Sequence, residues 1–242
     1  MDTTTFLHHL EVDGPALASV AKADPSMPVP TCPEWTLADL LAHVGSAHHW
    51  AEQTVRTRAT EFCPFAKPPR DFDAVCTWYD EGLDQLLQTL TAVDPDEPVW
   101  NWLVMGVGPA RFWQRRMAHE TAVHRWDAEN AVGLASPVDT DLALDGIDEY
   151  LDIASFSLSM KPNDALAGTL GLEAPDAPWA STLSLTSTEV RRREGLDGAD
   201  AVVRATPSDL FLWLVGRRTM DGKDVRAEGD KSVIDAWATV RF

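Results

Sequence analysis

Apolar residues recur at helical spacing through the first half of the chain, in four blocks separated by proline-rich breaks. Residues 3–23 form the first block. It ends at ADPSMPVPTCPEW, where four prolines between positions 25 and 33 forbid a continuing helix. Thr36, followed three residues later by Asp39, has the spacing of a capping box with Asp in place of Glu, and it predicts a second helix to about Arg58. CPFAKPPRDFD breaks the pattern again, and residues 71–92 predict a third helix ended by DPDEP. WNWLVMGVGP reads as irregular, and a fourth helix is predicted from about Ala110 to Val132, stopped by Gly133. Four helices of this length with short-to-medium connections predict a four-helix bundle.

The second half changes character. A helix is expected near 140–160, then a Pro-, Gly- and Ala-rich tract, KPNDALAGTLGLEAPDAPWAS, that reads as loop. Residues 182–190 (TLSLTSTEV) alternate as a half-buried strand with Leu183 and Leu185 on one face, and ADAVVRAT (199–206) is a second strand candidate. Ser208 is expected to cap a short apolar helix, DLFLWLVG, and Asp230 a last one, KSVIDAWATVR, through Arg241. The pattern places a boundary near Ser136–Val138, dividing a bundle domain, 1–137, from a smaller α+β domain, 138–242. The expected class is therefore mainly α with an α+β addition.

Composition narrows the function classes. The 242 residues are 45% hydrophobic and 24% charged, and no apolar run approaches the ~20 residues of a membrane span. The formal charge of −18 leaves no cationic face for nucleic acid, since Lys and Arg cluster only in the short RRR at 191–193. The amino terminus, MDTTTFLHHLEVDG, lacks a basic segment followed by an apolar one, so the expectation is a cytoplasmic protein without a secretion signal. Three cysteines without CxxC spacing argue against a disulfide framework or a cysteine zinc site. Cys32 has no base beside it in sequence and reads as a small residue packed in the turn before the second helix. Ten tryptophans imply large apolar walls in the core or around a pocket.

The candidate chemistry lies in RRMAHETAVHRWDAE, residues 115–129. Its HExxxH spacing is one residue longer than the zinc-protease HExxH, and on a helix His119 and His124 stand about 140° apart, too far to grip one ion. Glu120 and His124 are only about 40° apart on adjacent turns, with Asp127 one turn further along the same stripe. Trp113, Met117 and Ala131 extend that stripe with apolar residues at both ends, so its polar middle should face the bundle interior. Ionisable groups there need a partner, and a metal ion suits carboxylate and imidazole donors. A third ligand is expected from the second helix, where His43, His48 and His49 are all candidates. Ordinary ion pairs with Arg115, Arg116 and Arg125 on a solvated face give the same spacing.

CPEWTLADLLAHVGSAHHWA followed by RRMAHETAVHRWDAE resembles the mycothiol-dependent maleylpyruvate isomerase family, within the DinB-like metalloprotein superfamily. DLFLWLVGRR followed by AEGD is similar to that family's carboxy-terminal domain, which is similar in fold to sterol carrier proteins. The resemblance covers most of the chain, leaving 60–110 and 160–195 poorly matched. It implies a divalent metal, usually zinc, held by His43, Glu120 and His124, with Asp127 as an acidic residue beside it. It also implies an arginine of the second domain, Arg217 as the residue directly after the glycine, with Arg218 as the alternative. His8, His9, His48, His49 and His119 have no role in the family and are expected to be solvated.

Three ligands leave a coordination position open, the pattern of a catalytic site. The implied activity uses mycothiol or another low-molecular-weight thiol as thiolate nucleophile on an electrophilic small molecule, by thiol transfer or maleylpyruvate-type cis–trans isomerisation. Two other readings keep the same residues: a non-catalytic apolar-ligand carrier, and a zinc hydrolase with metal-bound water. Iron, nickel or manganese would also suit a His₂Glu set.

Overall fold

The computed structural model describes residues 1–220 and 223–240, which divide into two compact units, Met1–Ser136 and Pro137–Phe242. No described helix is long and apolar enough to cross a membrane.

The first unit packs four helices, α1 (Thr3–Ala23), α2 (Leu37–Arg56), α3 (Phe72–Ala92) and α4 (Arg111–Ala131), around one apolar core. Their starts follow from local side-chain chemistry. Asp2 caps α1 by accepting from the Thr5 N–H, and Asp71 caps α3 by accepting from Ala74. Thr36 and Asp39 form the reciprocal capping box at α2. Leu10, Leu17, Leu40, Leu41, Leu86 and Trp113 are fully buried where these helices meet.

The stretch read as irregular before α4 is instead a hairpin, β1 (Pro98–Asn101) with β2 (Gly106–Pro109), in which Trp100 pairs with Val107. Val99 and Trp100 are buried in the core. Four-residue strands with two glycines carry too little alternation to be distinguished from a loop by pattern.

The second unit comprises α5 (Thr140–Met160), β3 (Gly168–Ala174), β4 (Trp179–Leu185), β5 (Val190–Glu194), β6 (Ala201–Arg204), α6 (Pro207–Leu214), β7 (Arg226–Gly229) and α7 (Lys231–Trp237). Its mixed sheet runs in the order β5-β4-β3-β6-β7, with only β3 and β6 parallel. Three expectations are corrected here. The central strand, β3, lies inside the tract read as loop. Leu170, Leu172 and Ala174 are buried along it, and a Cβ on Gly171 would meet the Leu196 and Val202 side chains at 3.0 and 3.1 Å. Residues 182–190 are not one strand, because the chain turns between β4 and β5, with the Thr186 N–H donating to the Glu189 carbonyl. Thr206, not Ser208, caps α6, since Pro207 occupies the first helical turn and the Thr206 hydroxyl accepts from the Asp209 N–H. Ser208 instead accepts from the Val138 N–H at 2.9 Å. Asp230 caps α7 as expected, but the helix ends at Trp237, and Arg241 lies outside the described residues.

Gly229 closes β7 at φ +92°, and a Cβ there would come within 2.3 Å of the Asp200 carbonyl oxygen. Gly229→Ala is therefore expected to destabilise this unit by about 2–3 kcal/mol, from left-handed strain plus a backbone clash. A lowered thermal midpoint checks it; an unchanged one would show that the β6–β7 edge yields freely.

Candidate metal centre

α2 supplies His43, and α4 supplies Glu120 and His124, each offering a ligand atom within 4.8 Å of the other two. His43 Nε2 stands 3.1 Å from Glu120 Oε1, and His124 Nε2 stands 3.3 Å from the same oxygen. The two imidazoles meet edge to face with centroids 5.0 Å apart. The other carboxylate oxygen, Oε2, accepts from the Arg116 guanidinium one turn earlier on α4. One oxygen of Glu120 is thus paired with a fixed cation, while the other faces two ring nitrogens.

Behind His124 lies a second tier. Asp127 Oδ2 is 2.9 Å from His124 Nδ1, and its Oδ1 accepts from the Thr31 hydroxyl at 2.6 Å. Asp127 is fully buried, so its carboxylate is held by these partners rather than by water. The carboxylate on Nδ1 fixes the ring's orientation, so that Nε2 faces Glu120 whether it donates a proton there or, deprotonated, would serve as a metal ligand.

The electrostatics follow from burial and pairing. Desolvation opposes the charge on Glu120, yet the Arg116 cation, then the hydrogen bonds and charge of His124 and the bond to His43, hold its carboxyl well below the usual range. Burial opposes charge on His124 too, but the hydrogen bonds to Asp127 and Glu120 outweigh it and raise the imidazole above its ordinary value.

The site is dry on one side and open on the other. His124 is only 5% exposed, whereas the His43 side chain is 40% exposed. His43 lines a cleft of about 370 Å³ together with Glu34, Trp35, Asp39, Ala42, Ser46 and Pro68. The Trp35 ring lies 4.7 Å from that of His43 and 6.2 Å from that of His124, centroid to centroid.

Spacing had left His43, His48 and His49 equivalent. Of these, only His43 joins Glu120 and His124 among the described residues. His48 and His119 are not solvated, as expected of them, but fully buried, because α2 and α4 each bury a wide arc. His49 stacks on the Trp78 ring at 4.3 Å. Arg125 ties α4 to Asp13, Glu129 and Ser136, away from the ligand cluster. Arg217, in the second unit, donates to the Val215 carbonyl at 3.0 Å, and Arg218 pairs with Asp209 at 2.9 Å.

Two contributors escaped the sequence reading: Thr31 and Trp35. Arg116 was in view as an ion-pair partner, and it does pair with Glu120, four residues later on the same face. Thr31 and Trp35 come from the proline-rich turn before α2, and only tertiary packing brings them to α4.

The residues present fit a divalent cation. One carboxylate oxygen faces two imidazole nitrogens, and a buried carboxylate fixes the far side of one ring, which is the donor set and outer support of a His₂Glu site.

A family model described as the mycothiol maleylpyruvate isomerase N-terminal domain matches residues 14–129, and one described as the MDMPI C-terminal domain matches residues 141–236. Among solved structures, the crystal structure of the mycothiol-dependent maleylpyruvate isomerase is similar with a TM-score of 0.64 and 12% identity, covering 95% of each chain. A histidine-to-alanine mutant of it is similar at the same TM-score with 13% identity, again over 95% of each chain. At such identities the likeness shows the fold, a DinB-like helical bundle followed by an α+β unit. Comparison with curated proteins returns no match. With two family models that together take in the bundle and the α+β unit, in chain order, this protein belongs to the mycothiol-dependent maleylpyruvate isomerase family.

Proposed function

We propose that this chain is a metal-dependent enzyme that uses mycothiol, or another low-molecular-weight thiol, as nucleophile on an electrophilic small molecule. The reaction is either thiol transfer or a cis–trans isomerisation of the maleylpyruvate type. The observation that carries this reading is the convergence of His43 Nε2, Glu120 Oε1 and His124 Nε2 at the edge of an open cleft. His43, Glu120 and His124 would hold the ion, zinc being the simplest choice for two imidazoles and a carboxylate. When bound, the ion supplies a positive charge that keeps a thiol deprotonated at neutral pH, and the thiol supplies a nucleophile for an activated double bond.

The chain's own residues do the rest. Asp127, pinned by Thr31, fixes the His124 ring so that Nε2 keeps its aim. Arg116 holds Glu120 from behind, which leaves Oε1 facing the two rings. Trp35 shields the flank of both imidazoles from water, while the cleft on the His43 side admits reactants. On the resemblance alone, Arg217 is proposed to bind a carboxylate of the substrate.

Elemental analysis of the purified protein, followed by titration with mycothiol, tests this reading. About one ion per chain and a thiol titration that depends on it are expected. A protein without metal would point instead to a carrier of apolar ligands. Turnover of an ester or amide without added thiol would point to a hydrolase.

A further inference from the structure

His48 follows His43 by five residues on α2 and lies at the opposite extreme of exposure, fully buried. Its Nε2 is 2.8 Å from the hydroxyl oxygen of Thr121, the residue directly after Glu120 on α4. The same ring packs beside Tyr79 of α3, centroids 5.4 Å apart, and its Nδ1 has no hydrogen-bond partner among the described residues. For stability alone this is a poor occupant: a half-satisfied polar ring takes a place that an apolar side chain would fill at lower cost. A hydrogen bond differs from apolar packing in being directional, since its strength falls steeply when the distance or angle drifts. Apolar ridges, by contrast, permit small slides of one helix along another.

The ligand triangle is sensitive to such slides. Its His43 corner rides on α2, and its other two corners ride on α4. A shift of one helix against the other moves His43 relative to Glu120 and His124 without disturbing either helix internally. His48 and Thr121 lock the two helices together within about a turn and a half of His43 and immediately beside Glu120. A neutral link also adds no second cation next to the ligands, as a lysine or arginine there would.

We propose that the His48–Thr121 hydrogen bond sets the separation of α2 and α4 at the candidate metal centre, making His48 and Thr121 positioning residues for His43, Glu120 and His124. The inference rests on reading those three as ligands. The test is the affinity of metal-stripped protein for Zn²⁺, measured by chelator competition, together with the visible absorption of its Co²⁺ form. Thr121→Val keeps the shape of the side chain and removes the hydrogen bond, so the bundle is expected to fold. His48→Leu removes the other partner, and His48→Gln returns an N–H near the Nε2 position.

Thr121→Val and His48→Leu are each expected to weaken Zn²⁺ binding about tenfold, the lower end for residues that orient ligands. The double variant should fall no further than either single one. The Co²⁺ spectrum should change in both singles and return toward wild type in His48→Gln, a response that a general loss of stability would not give. If folded Thr121→Val binds Zn²⁺ as wild type does, with an unaltered Co²⁺ spectrum, the inference is overturned while the metal reading stands. If wild type itself takes up neither ion, both fall together.

Discussion

His43→Ala is expected to lose metal and thiol-dependent turnover together while the fold persists. One ligand of three is a large share of the roughly 10–16 kcal/mol with which protein sites hold zinc, so affinity should fall on the order of 10³-fold. The position makes the experiment clean. The His43 side chain is 40% exposed beside the cleft, so alanine leaves no sealed cavity in the core. Its polar contact is with Glu120, which keeps Arg116 and His124 as partners. A thermal midpoint close to wild type should therefore accompany the loss of metal. His8→Ala, an exposed histidine on α1, serves as the control and should change neither quantity. Metal content and activity retained in His43→Ala would sink the ligand assignment, whatever became of the fold.

How much of this was legible beforehand depended on how far each feature reaches along the chain. The helices of the bundle could be read because proline breaks, the Asp39 capping partner and the 3.6-residue stripe are all local. The polar middle of the α4 stripe was legible for the same reason: Glu120, His124 and Asp127 share a face by helix geometry alone. The third corner was not, since spacing on α2 left three histidines open, and resemblance, not periodicity, singled out His43. The strand β3 was hidden because its glycines, which read as loop, serve close packing: Gly171 gives room to Leu196 and Val202. Ser208 was read as the cap of α6 although Thr206-x-x-Asp209 stands just before it with Pro207, a residue suited to the first helical position, between them. His48 and His119 were expected in water because they have no role in the family and histidine is seldom fully buried. Burial is set by neighbours on other helices, which the sequence of one helix does not display.

That buried His48 carries the second large expectation, a pH dependence of stability. Burial removes water from its ring, Glu120 opposes that effect, and His49, His124 and His43 add to it, pushing its pKa from 6.5 down to about 3. The groups around it come from three helices: His43 and His49 on α2 itself, Glu120, Thr121 and His124 on α4, and Tyr79 on α3. Unfolded, the same histidine takes up a proton near 6.5, so between that pH and about 3 the unfolded chain binds one proton more than the folded one. Its contribution is therefore complete above pH 6.5 and is lost as the pH falls, at ~1.4 kcal/mol per unit, or on the order of 5 kcal/mol across the window. That is a large fraction of the 5–15 kcal/mol typical of folded domains, roughly a few thousandfold in the folding equilibrium. Urea unfolding between pH 7.5 and 4.5, with EDTA present to keep metal out of the comparison, measures it. Wild type should lose stability on acidification faster than His48→Gln by about 1.4 kcal/mol per unit below pH 6.5, and the two should run parallel above it. Parallel curves throughout would mean that water reaches the ring. In that case the α2–α4 contact is looser than a sealed hydrogen bond requires, and the spacing of the ligand triangle must be set elsewhere.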